Sequence, residues 1–200
     1  MRRIVLLFLL ALALPMAAFA NNSVDFTNAG GTLSGSSAGL SLSGSTLIAV
    51  GHGGLPITGN LGTLEFSTAG MVSGGSLQTG ATFMSGGSFT ITGNGTNGVQ
   101  NGTIFSGSFS GPVTWTLVTL ANGTHNYTLS GALTGTWYNG MTVNGATVQL
   151  TINTGKGFFN GTTMISSGDT NILVPEPGSL TLLGTGLVGL AGIVRRKLKA

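Results

Sequence analysis

The chain of 200 residues holds 36 Gly, 28 Thr and 19 Ser, yet only 6% of its residues are charged and none is cysteine. The lack of cysteine excludes disulfides, thiolate metal sites and a cysteine nucleophile, while the length is enough to bury a core without such staples. A formal charge of +3 raises nucleic acid as a partner, a reading that depends on where the charges lie.

In chain order, Met1-Arg2-Arg3 precedes an apolar run from Ile4 to Leu14 and then Pro15-Met16-Ala17-Ala18-Phe19-Ala20. A basic start, a short apolar stretch and an Ala-x-Ala site form a secretory signal peptide. Ala18 and Ala20 offer small side chains to signal peptidase, which places cleavage after Ala20 and makes residues 1–20 a removable helix. A membrane span needs about 20 apolar residues, more than this run supplies.

The exported body covers residues 21–173, and Asp25, Glu65, Lys156 and Asp169 are its only charged residues. Its balance is therefore 1 − 3 = −2, and no basic stripe remains to neutralise phosphates, so nucleic acid is excluded as a partner. The body reads as all-β. Leu40-Ser41-Leu42-Ser43 and Leu61–Phe66 form short strands, and Val113, Trp115 and Leu117 alternate with Thr as a half-buried strand does. Tyr127, Leu129, Leu133 and Trp137 share one face of the return strand; Val148, Leu150 and Ile152 share another. Asn122-Gly123, Asn139-Gly140 and Asn144-Gly145 mark hairpin turns. An antiparallel sandwich or a barrel-like body follows. The echo of Ser73-Gly74-Gly75-Ser76-Leu77 in Ser85-Gly86-Gly87-Ser88-Phe89, 12 residues on, gives a β-solenoid as the alternative.

Candidate chemistry is sparse. Gly35-Ser36-Ser37-Ala38-Gly39 fits the G-x-S-x-G nucleophile elbow, but a chain this rich in Gly and Ser supplies such matches readily. Gly51-His52-Gly53-Gly54 resembles an oxyanion loop but follows the serine. His52 and His125 have no second His or acid at metal-ligand spacing. Asp25, Glu65 and Asp169 are dispersed, too few for a calcium array and without an evident glycosidase pair. The expectation is no catalytic residue, no metal and no cofactor. Sequons at Asn21, Asn94, Asn101, Asn122, Asn126 and Asn160 read as turn chemistry. Trp115, Tyr127 and Trp137 belong to core faces, and Tyr138, next to Trp137, points outward.

At the C-terminal end, Val174-Pro175-Glu176-Pro177 leads into an apolar stretch of 17 residues from 178 to 194, and Arg195-Arg196-Lys197-Leu198-Lys199-Ala200 follows. The apolar run is just long enough for a single transmembrane helix, and the basic residues 195–200 stay cytoplasmic under the positive-inside rule. The prolines forbid a continuous helix upstream, which holds Glu176 in an extended segment outside the bilayer. In this order the three parts of residues 174–200 resemble the PEP-CTERM sorting signal of Gram-negative bacteria. The resemblance implies recognition by exosortase, a membrane-embedded transpeptidase that cleaves near the motif. Pro175, Glu176 and Pro177 would be the sorting motif, and Arg195, Arg196 and Lys197 the retention cluster. It also implies export, a membrane-anchored precursor and a final place in the envelope or outside the cell, associated with exopolysaccharide.

The expected protein is thus a non-enzymatic structural or interaction component of the envelope or matrix. A carbohydrate-binding module would instead need exposed coplanar aromatics, and a secreted hydrolase would need Ser37 to meet a histidine.

Overall fold

The computed structural model describes residues 23–52 and 56–173. The signal peptide with Ala18 and Ala20, the motif Pro175–Pro177, the span 178–194 and the cluster Arg195–Lys197 lie outside the described residues, as do Gly53 and Gly54. Among the described residues no helix is long and apolar enough to cross a membrane.

The described residues form twelve strands, in order β1 (Ser23–Ala29), β2 (Thr32–Ser36), β3 (Gly39–His52), β4 (Ile57–Ser67), β5 (Gly80–Phe83) and β6 (Gly86–Asn94). After a 3-10 turn at Thr96–Gly98 come β7 (Asn101–Phe109), β8 (Val113–Thr119), β9 (His125–Trp137), β10 (Thr142–Asn153), β11 (Thr162–Met164) and β12 (Ser167–Leu173). Eight of them close into an antiparallel barrel in the order β1-β12-β10-β9-β7-β6-β4-β3, with β1 pairing back onto β3. Of the architectures the sequence allows, the barrel is the one present. The solenoid is not: Ser73–Leu77 is a loop and Ser85–Phe89 enters β6, so the two echoes do not stack.

The barrel branches at one end. β1 and β2 lie end to end along the same edge of β3, and β7 and β8 lie end to end along the same edge of β9. The chain breaks between them at Gly30-Gly31 and at Ser110-Gly111-Pro112. Past each break the new strand gains a partner outside the barrel: β11 pairs with β2, and β5 with β8. Asn122-Gly123 and Asn139-Gly140 are turns as expected, with Gly123 at φ 79° and Gly140 at φ 85°. Asn144-Gly145 is not. It is a bulge inside β10, where Gly145 takes φ 81° and the register against β9 shifts between Asn144 and Ala146.

One hydrophobic core fills the barrel and continues into the branched end. Tyr127, Leu129, Leu133, Val148, Leu150 and Ile152 are all buried, as their alternation requires. Phe66, Phe89, Phe105 and Phe109 pack mostly edge to face with centroids about 6 Å apart. Glycine makes room for them. Gly107 on β7 sits directly opposite Gly135 on β9, and the tip of the Phe105 ring covers both. A Cβ on either glycine would fall within 3 Å of that ring, so the missing side chains are what let it lie flat against the wall.

Candidate functional site

Antiparallel closure brings the two described ends together. Ser23 is paired with Leu173, and Val24 is paired with His52 on the other side. The chain therefore enters and leaves at one pole of the barrel. The turn between β6 and β7 and the turn between β9 and β10 lie at this same pole, because Asn94 pairs with Asn101 and Thr136 with Thr142. The expected sorting motif begins at Pro175, two positions beyond the last strand residue.

The entry pole is firmly built. Tyr138 N–H donates to the Ile104 carbonyl at 2.8 Å, Gly140 N–H to the Trp137 carbonyl at 2.8 Å and Met141 N–H to Asn139 Oδ1 at 3.0 Å. The amides of Asn94 and Asn97 donate to the carbonyls of Asn60 and Thr58, tying the β6–β7 turn to β4. Trp137 is buried against Phe26, whereas Tyr138 is 55% exposed, so adjacent residues on a strand end face opposite ways as expected.

The opposite pole holds Ser37 and His125. Ser37 occupies the two-residue turn between β2 and β3, a strand–turn–strand setting where a nucleophile elbow needs strand–turn–helix. His52 stands at the far end of β3, roughly 40 Å of strand away at about 3.3 Å per residue. His125 is buried at the start of β9. Its ring lies on Phe158 at 4.3 Å and its Nδ1 is 3.1 Å from the Thr119 hydroxyl. Nearby, Trp115 stacks on Tyr127 at 4.9 Å, and both are core. Trp115 Nε1 donates to the Leu77 carbonyl and Tyr127 hydroxyl to the Gln78 carbonyl, each at 2.8 Å, while Phe159 N–H donates to the Tyr127 oxygen at 3.1 Å. These bonds clamp the 68–79 and 154–161 loops over the branched end. An open groove of about 500 Å³ runs between Val72–Gly75 and strands β5 and β8.

Two carboxylates separated by most of the chain come onto neighbouring strands. β1 and β12 are neighbours, and Asp25 and Asp169 point outward on the same face, two register positions apart. Sequence separation hides this, because the pairing joins the first strand to the last. Crowding of the Asp25 carboxyl against the sheet, and then the Asp169 charge, raise its pKa above the ordinary 3.8. Gln149 and Asn171 flank Asp169 through β10 and β12, and the groove beside them measures about 570 Å³. Glu65 stands apart on β4, where the Gly44 amide donates to it at 3.4 Å. Among the described residues no three His, Asp or Glu side chains converge as metal ligands.

The outer wall is mostly hydroxyl. Adjacent outward positions join Glu65, Thr90, Ser106, Thr136 and Thr142 across β4, β6, β7, β9 and β10. A second row joins Thr114, Ser130, Gln149, Asp169 and Thr27. Alternation predicts outward Thr on each strand, but only the register aligns them into rows.

Comparison with known proteins supplies one match. The family model for the PEP-CTERM protein-sorting motif matches residues 173–197. No curated protein and no solved structure matches the chain.

Proposed function

We infer that this PEP-CTERM protein is an exosortase-processed component of the envelope or extracellular matrix, with a non-enzymatic structural or interaction role beside exopolysaccharide. The match over residues 173–197 carries the reading, since that motif marks an exported protein recognised by exosortase and held by its C-terminal tail before processing. Pro175, Glu176 and Pro177 are its recognition residues, and Arg195, Arg196 and Lys197 hold the tail on the cytoplasmic side. Ala18 and Ala20 direct signal peptidase.

The barrel supports the passenger half of the proposal. Its outer wall offers rows of Thr and Ser hydroxyls, and residues 21–174 carry four charged side chains in all. Such a surface exchanges hydrogen bonds with a neutral polyhydroxyl chain without desolvating ions, each bond adding a modest net contribution. Burial of Trp115 and Trp137 leaves Tyr138 without a coplanar aromatic partner on the surface, which does not favour a carbohydrate-binding module. Ser37 in a tight hairpin and His52 at the other end of β3 do not favour a hydrolase.

The test follows an epitope placed after Lys199 in the native host. Exosortase processing removes it from the mature protein, and Glu176→Ala retains it. Retention in both would reduce this end to a plain anchor. Purified residues 21–174 should co-sediment with matrix polysaccharide extracted from that host, and failure to do so would remove the exopolysaccharide part.

A further inference from the structure

We propose that the entry pole lies against the lipid surface in the unprocessed protein, with Tyr138 and Ile57 at headgroup depth. The inference rests on the membrane-anchored precursor proposed above. The last strand residue is Leu173 and the apolar run starts at Gly178, five positions later. A fully extended chain covers at most about 3.6 Å per residue, so these positions separate pole and bilayer by no more than about 18 Å. Strand β9 has 13 residues and is about 40 Å long at about 3.3 Å per residue. With the entry pole on the surface, the branched end would stand about one strand length from the lipid.

The chemistry of the pole fits a lipid interface. Tyr138 is 55% exposed and Ile57 39% exposed, and both belong to the end where the chain enters and leaves. Tyrosine pairs an apolar ring with a polar tip, the combination enriched where hydrocarbon meets headgroups. Tyr138 is also held in place, because its own amide bonds Ile104 and its ring rests 5.7 Å from Trp137. The turns around it present Asn94, Asn97, Asn101 and Asn139 in place of charged side chains. Among the described residues Asp25, on the outer wall of β1, is the carboxylate nearest this pole. No Lys or Arg of the described residues belongs to this pole; Lys156 lies in the loop after β10, at the branched end. Contact is therefore with zwitterionic and anionic lipid alike, and added salt leaves it in place.

The experiment uses the full chain with its C-terminal segment, reconstituted into phosphatidylcholine vesicles. The protein lacks cysteine, so Asn101→Cys at the entry pole and Val118→Cys at the branched end each take one fluorophore. Both positions are exposed, and matching thermal unfolding curves establish that both variants fold. Nitroxide-headgroup lipid should extinguish the probe at 101 and leave the probe at 118 bright, in low and high salt. Tyr138→Ser in the Asn101→Cys background should lessen the quenching. Flotation with the vesicles but equal quenching at both positions would overturn the pole assignment alone. Failure to float would remove the anchored precursor, and the inference with it.

Discussion

Gly107 offers the sharpest test of how this wall is built. A Cβ at this position would stand 2.2 Å from the Thr134 carbonyl oxygen, 2.9 Å from the Gly135 Cα and 2.9 Å from the Phe105 ring. Real Cβ atoms do not approach closer than 3.0 Å, so β7 and β9 would have to part by about 0.8 Å at this pair. Neither strand can move freely, because β7 is also bonded to β6 and β9 to β10. Overpacking typically costs about 1–3 kcal/mol. The clash with backbone here places Gly107→Ala at the upper end, about 3 kcal/mol. At about 2–4 °C per kcal/mol for a domain of this size, Tm falls by roughly 6–12 °C. The φ of Gly107 lies outside the left-handed region, so the loss reports space and not backbone strain. Gly111→Ala is the control. Nothing lies within 4 Å of its Cβ, its φ is likewise ordinary, and the change should be neutral or stabilising by up to about 1 kcal/mol. Thermal unfolding of residues 21–174 followed by near-ultraviolet circular dichroism reads both variants. Equal Tm values for Gly107→Ala and Gly111→Ala would refute the account of glycine as ring space. Gly135→Ala should resemble Gly107→Ala. The double variant should lose less than the sum, since one parting of the strands serves both methyls.

Tyr127→Phe removes the donor to the Gln78 carbonyl and the acceptor for Phe159 N–H. Leaving buried groups unpaired costs about 1–3 kcal/mol, and hydrogen exchange should quicken at Phe159 first. Thr170 Oγ1 is buried with no hydrogen-bond partner among the described residues. Thr170→Val should therefore raise the denaturant midpoint, and a fall would mean that the hydroxyl is bonded. The Asp25 pKa is higher folded than unfolded, so the native state holds this proton more tightly and stability falls as pH rises above 3.8. Asp25→Asn should raise Tm at neutral pH and leave it unchanged below pH 3.8. A gain of equal size at both pH values would show that the carboxylate charge is not its source.

Some of this protein was legible from residue order alone. The C-terminal sorting motif is contiguous and needs no partner to be recognised, and it is matched as such at residues 173–197. Alternation of apolar and small polar residues assigned the faces of β8, β9 and β10, because a strand turns its side chains by a two-residue period whatever lies beside it. Asn139-Gly140 announced its turn. Asn144-Gly145 misled, because the same left-handed glycine serves a tight turn or a bulge, and only the continuing pairing of β10 with β9 decides which. Closure of the barrel was equally out of reach. β1 meets β12 across the 137 residues from 30 to 166, and no local pattern encodes so distant a partner. That one pairing sets Asp25 beside Asp169, brings the chain ends to a single pole and turns scattered threonines into rows. The sequence by itself determined the C-terminal sorting motif and which sides of β8, β9 and β10 are buried, since both depend on near neighbours. Which strands meet, and so what the glycines make room for, was decided only by the tertiary structure, where long-range packing selects among registers that residue order leaves equivalent.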